Sequence, residues 1–217
     1  MTATTTSHKH PAPRAARART FAAILAIALL AWGCRKPADT QVTPPGDSQT
    51  TVPETPGQAC AATAEWPDER IPMPPDWAPE LPAGYELLRF SPGMYKPERD
   101  DYFSYVFALM WDRPGALDSE QLSDILDQYY RGLTSAVAAA KKLNVPTDEI
   151  SVKVTGAIPA FRATVEMWEP FVTGQKITIE MDLAVGVSCL AAKVSPKPRD
   201  HAVWQELATA AACLPCP

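Results

Sequence analysis

Three segments in the second half of the chain alternate apolar and polar residues with a period of two. Only an extended strand with one buried and one solvated face uses that period. Ile150, Val152 and Val154 alternate with Ser151, Lys153 and Thr155, and Phe161, Ala163, Val165 and Met167 alternate with Arg162, Thr164, Glu166 and Trp168. After a loop containing Gly174, Ile177, Ile179, Met181, Leu183 and Val185 alternate with Thr178, Glu180, Asp182 and Ala184. A fourth run, Leu190 to Val194, follows a turn near Gly186. Consecutive segments of this kind predict an antiparallel meander.

Upstream, residues 102–111 (YFSYVFALMW) are apolar on both parities, which predicts a central strand covered on both faces. The cover is expected from a helix over residues 119–143, where Leu122, Ile125, Leu126, Tyr129, Leu133, Ala136, Val137 and Ala140 form one stripe. Asp118 is placed as its N-cap with Gln121 at the capping-box position, and Lys141 and Lys142 suit its C-terminal dipole. Residues 65–97 carry eight prolines, which forbid a long helix and favour a wrapping segment. Trp66 and Trp77 are expected to pin this segment to the core, and residues 85–90 (YELLRF) within it predict a short strand. A second helix is expected from about Pro198, turning Val203, Trp204, Leu207 and Ala211 inward until Cys213-Leu214-Pro215-Cys216 ends it.

The predicted fold class is therefore α+β: an antiparallel sheet of about six strands in the order β-β-α-β-β-β-β-α, packed by a long central helix and a C-terminal helix. With YELLRF and YFSYVFALMW opening the sheet, this order resembles the PsbP-like sandwich, a fold of lumenal and periplasmic accessory proteins. The resemblance is one of architecture and implies no activity.

The N-terminus is of another kind. Lys9, Arg14, Arg17 and Arg19, with no acid among them, precede the apolar run from Phe21 to Gly33, which predicts a signal peptide over residues 1–33. Arg35 and Lys36 end that run well short of the about 20 residues a membrane-spanning helix needs. Ala31-Trp32-Gly33-Cys34 resembles the lipobox of bacterial prolipoproteins: Gly33 and Cys34 match it, while Ala31 and Trp32 depart from the favoured types. The resemblance implies a lipid on Cys34, a membrane anchor and a place in the bacterial cell envelope. Arg35 stands where an Asp can hold such proteins in the inner membrane, so it leans toward the outer membrane.

Thiol parity agrees with this reading. Of the five cysteines, a lipid on Cys34 leaves Cys60, Cys189, Cys213 and Cys216, an even set for disulfides in an oxidising compartment. The preferred pairing joins Cys60 to one of Cys213 and Cys216, and Cys189 to the other. Residues 34–58 are rich in Pro and Thr and hold no aromatic residue, which predicts a linker rather than a packed segment. Residues 59–217 then make one α+β domain. Without the signal peptide, 16 basic residues face 25 acidic ones, a net charge of −9. So acidic a chain excludes nucleic acid as a partner and leaves membrane affinity to the lipid.

The inventory of chemistry is thin. Loss of residues 1–33 leaves His201 as the single histidine, which excludes histidine-rich metal sites and two-histidine mechanisms. No glycine pattern in residues 59–217 builds a phosphate loop, and no serine lies in a G-x-S-x-G or S-x-x-K setting. Carboxylates cluster in Glu98, Asp100 and Asp101 and in Glu180 and Asp182, the second pair on the wet face of a strand. Cys213-x-x-Cys216 stands at a helix C-terminus, opposite to the end that activates a thiolate. No catalytic residue, metal ligand or cofactor is assigned. The expected function is a non-catalytic envelope lipoprotein whose domain binds an envelope protein or a small apolar ligand. The alternative is an enzyme, either a carboxylate-based hydrolase or a thiol–disulfide oxidoreductase using Cys213 and Cys216.

Overall fold

A computed structural model of the chain describes residues 60–111 and 117–216. The expected signal peptide over residues 1–33, the expected lipidation at Cys34 and the expected linker over residues 34–58 lie outside the described residues.

Seven strands form one antiparallel sheet: β1 (Asp68–Met73), β2 (Gly84–Phe90), β3 (Tyr105–Trp111), β4 (Ser151–Ala157), β5 (Ala160–Trp168), β6 (Lys176–Val185) and β7 (Cys189–Ser195), in the spatial order β1-β2-β3-β7-β6-β5-β4. Two meanders are thus joined edge to edge. The first runs β1 to β3; helix α1 (Ser119–Lys141) crosses one face to the far edge, and β4 to β7 return until β7 pairs with β3. Helix α2 (Val203–Ala211) packs on the opposite face.

The strand count corrects the expected six. The additional strand, β1, lies in the proline-rich segment, where Pro72 pairs with Tyr85. As an edge strand with one side unpaired, β1 accommodates a residue without an N–H, which a central strand would not. β2 begins one residue earlier than expected, and β3 begins three residues later, as Tyr102 to Ser104 turn into the strand rather than extend it.

On the α1 face, Phe161, Ala163, Val165 and Met167 of β5 and Ile179, Met181, Leu183 and Val185 of β6 are buried, the dry parity of the alternating segments. Helix α1 begins with the expected capping box: Gln121 N donates to Asp118 Oδ1 at 2.9 Å and Asp118 N to Gln121 Oε1 at 3.2 Å. Its buried stripe runs Leu122, Ile125, Leu126, Tyr129, Tyr130, Thr134, Val137 and Ala138; Leu133 and Ala136 are half-buried and Ala140 is exposed. The buried stripe is thus shifted forward in the second half of the helix, taking in Tyr130, Thr134 and Ala138. Arg131 fixes the helix to the entry of β4, donating to the carbonyls of Thr147 (2.5 Å) and Ile150.

On the α2 face, Val203, Trp204, Leu207 and Ala210 pack on Val106, Ala108, Cys189 and Ala191, and Trp66 joins them. Ala210 rather than Ala211 turns inward, and the helix starts at Val203, since residues 198–202 form turns instead. β3 is therefore covered on both faces, as its composition requires. Trp77 anchors the proline-rich segment on α1, edge-on to Tyr129 with ring centroids 5.3 Å apart.

Candidate functional site

The α2 face of the sheet is only partly covered. A nine-residue helix roofs β3 and β7, and the outward residues of β4, β5 and β6 lie beyond it. Strand register sorts those residues into rows. One row reads Ala157, Ala160, Ala184, Ala191 and Ala108 across β4, β5, β6, β7 and β3. The next reads Thr155, Arg162, Asp182 and Lys193 across β4, β5, β6 and β7. Methyl groups leave space where larger side chains would fill it, and a groove of about 450 Å³ lies over this part of the sheet, walled by Ala211 of α2 and edged by Arg162, Asp182 and Lys193.

Its electrostatics are set by Arg199, from the turn before α2. The guanidinium donates from Nη1 to Glu180 Oε2 at 2.6 Å, from Nε to Asp182 Oδ1 at 2.9 Å and from Nη2 to the Met181 carbonyl at 2.9 Å. Lys193 Nζ stands 3.5 Å from Asp182 Oδ2. Glu180 and Asp182 thus turn their oxygens to cations rather than to each other across a cleft, which is not the geometry of a paired-carboxylate hydrolase. Arg162 approaches Asp182 only to 4.0 Å and is 70% exposed, so its guanidinium faces the groove's solvent.

The other carboxylates gather at the opposite end of the sheet. Asp101 Oδ2 accepts from Gly93 N at 2.8 Å and Oδ1 from Arg99 Nε at 2.7 Å. Burial pushes its pKa up, but the Arg99 and Gly93 hydrogen bonds outweigh it and hold the carboxyl below the usual range. Asp100 is held low chiefly by Lys197, which donates at 2.9 Å. Glu98 takes part in neither pair's hydrogen bonds. His201 Nδ1 accepts from Val203 N at 3.2 Å at the start of α2, and its Nε2 lies 4.0 Å from Asp100 Oδ1. This is a capping role. Among the described residues no group of three or more His, Cys, Asp or Glu side chains is placed to hold a metal ion.

The four cysteines of the domain form two disulfides, Cys60–Cys213 with Cα atoms 5.2 Å apart and Cys189–Cys216 at 5.9 Å. Both are long-range clips on the C-terminal segment. Cys213 and Cys216 are bonded to different partners rather than to each other. Two such bonds assign the domain to an oxidising compartment outside the cytoplasm.

One buried polar cluster escaped the sequence reading. Glu86 of β2 is fully buried beneath α1; its Oε1 accepts from the Tyr129 hydroxyl at 2.7 Å and its Oε2 has no partner. Burial raises its pKa to about 8, against the opposing effect of the Tyr129 hydrogen bond. Beside it the hydroxyls of Tyr105 and Tyr130 are 2.9 Å apart, and burial pushes both well above the ordinary phenol value. The signal was present in YELLRF: Glu86 shares the parity of Leu88 and Phe90, the apolar side of its strand.

No family model, no curated protein and no solved structure matches the chain.

Proposed function

We propose that this chain is a lipid-anchored domain of a bacterial envelope that binds a small amphipathic ligand without transforming it. The observation that carries the reading is the groove beside α2. Its volume, about 450 Å³, falls within the roughly 300–1,000 Å³ of small-molecule sites. Its floor is a row of alanines, and Arg162 and Lys193 stand at its edge in a domain whose net charge is −8. Charge complementarity selects an apolar chain ending in an anionic group: the chain lies along the alanines, and the anion meets Arg162 and Lys193.

The anchor rests on the lipobox-like Gly33-Cys34 and on thiol parity, since all four remaining cysteines pair among themselves. A binding role rather than a catalytic one is supported by the engagement of Glu180 and Asp182 with Arg199, and by the division of Cys213 and Cys216 between two structural disulfides. The test is organic extraction of protein purified gently from membranes, with mass spectrometry of what it carried. An anionic amphiphile in near-equal amount to protein supports the reading; protein that carries none and takes up no added alkyl carboxylate contradicts it.

A further inference from the structure

Three segments without charge converge at one end of the sheet, and we propose that this end lies against a lipid bilayer, with Ile158 and Val187 entering its interface. The inference rests on the reading that Cys34 carries the anchor.

The two side chains stand on neighbouring turns. Ile158 lies in the β4–β5 turn and Val187 in the β6–β7 turn, and the register Ala160 to Ala184 together with the bond from Val185 N to the Pro159 carbonyl (2.9 Å) sets the turns side by side. Val187 is 85% exposed and Ile158 51%, the two highest exposures among the large apolar side chains of the described residues. Water gains nothing from two branched aliphatic side chains held at adjacent tips, whereas a membrane interface does.

Charge separates the β4–β7 corner of this end from the rest of the molecule, including the β1–β2 connection with Asp76 and Glu80. Residues 155–161, residues 183–192 and residues 207–216 contain no Asp, Glu, Lys or Arg, and the Cys189–Cys216 disulfide holds the last of these against the second. A domain of net charge −8, with 14 basic against 22 acidic residues over 59–217, is repelled by anionic headgroups from every side that presents its acids. Only this uncharged corner meets the surface without that penalty. The opposite end also exposes apolar side chains, Tyr95, Leu143 and Val172, but Lys96, Glu98, Lys141 and Lys142 are interspersed with them.

Cys60, where the described chain begins, is linked to this end through two disulfides. Cys60 is bonded to Cys213, three residues from Cys216, and Cys216 is bonded to Cys189, two residues beyond Val187. An anchor so attached keeps the domain at the membrane and supplies the affinity that two side chains alone lack.

The test places a tryptophan at each end of the acylated full-length protein in phosphatidylcholine vesicles and reads quenching by brominated lipid. In the Val187→Trp variant, emission of the added indole is expected to fall by about half with bromines near the headgroups. The Val172→Trp variant, at the other end, is expected to be unaffected. Both positions are solvent-exposed, and matching thermal unfolding of the two variants verifies the fold. Equal quenching in both, quenching in Val172→Trp alone, or none in either overturns the inference. Protection of Val187→Trp only when a second envelope protein is reconstituted overturns it in favour of a protein partner. Intact mass keeps the two readings apart: an acylated chain without quenching defeats the docking alone, and a mature chain lacking acyl groups defeats the anchor and the docking with it.

Discussion

The Tyr129 hydroxyl donates to Glu86 Oε1 at 2.7 Å, in a core where the second oxygen of the same carboxyl has no partner. Only a protonated carboxyl tolerates that setting, because no cation reaches it. The ionisable groups facing it are Glu69 of β1 and the phenols Tyr105, Tyr129 and Tyr130, none of them positive. Folded, Glu86 holds its proton to about pH 8; unfolded, it releases it near 4.5. Between those values the folded chain binds more protons, so stability present in full below pH 4.5 is lost as pH climbs toward 8, by on the order of 1 kcal/mol per unit. The low carboxylates Asp100 and Asp101 act below this window. Glu86→Gln keeps an acceptor for Tyr129 and is expected to flatten the profile between pH 5 and 8. Half-buried Glu69, also raised, leaves a small residual slope. Urea unfolding of both proteins across that range checks it; parallel profiles contradict it.

A glycine in the middle of α1 is required by what crosses it. A Cβ at Gly132 would stand 2.3 Å from the Trp77 carbonyl oxygen and 2.9 Å from the Trp77 ring. In an open helix Gly→Ala stabilises by up to about 1 kcal/mol. Here Gly132→Ala is expected to destabilise by about 1–3 kcal/mol, as overpacking does, and to loosen the proline-rich segment. Thermal unfolding with near-ultraviolet dichroism of Trp77 and Tyr129 reads both effects, and a more stable variant refutes the account.

The two disulfides are expected to contribute unequally. Cys60–Cys213 closes a separation of 153 residues and Cys189–Cys216 one of 27. In the chain-entropy model these are worth about 5 and about 3.5 kcal/mol. Cys60→Ser with Cys213→Ser should therefore lower stability more than Cys189→Ser with Cys216→Ser, and non-reducing peptide mapping of the unaltered protein should return the two stated pairs. A Cys213–Cys216 peptide would contradict the pairing.

Much of this architecture is written in local pattern, because α1 and strands β4 to β6 turn one face inward with a period that shows directly. The capping box at Asp118 and Gln121 and the dry parity of β5 and β6 follow from chemistry within a few residues. β1 is not legible that way: Pro72 argues against a strand until the strand is known to be an edge. Nor is the groove. Alternation places Ala160 and Ala184 on the wet face, but their alignment with Ala157, Ala191 and Ala108 arises from cross-strand register, which no single segment encodes. Arg199 likewise reaches Glu180 and Asp182 only once α2 has packed back over β7.

The groove itself gives the most direct test of the proposed function. A long-chain alkyl carboxylate is titrated into the mature chain bearing Cys34→Ser, which removes the lipid, and into the same chain with Ala184→Trp, which fills the groove from its floor. Saturable one-site binding, weakened about tenfold or more by Ala184→Trp at unchanged unfolding temperature, is the predicted result, equivalent to a loss of at least about 1.4 kcal/mol. Binding of equal strength in the two chains, or none in either, would contradict a ligand seat on the alanine row.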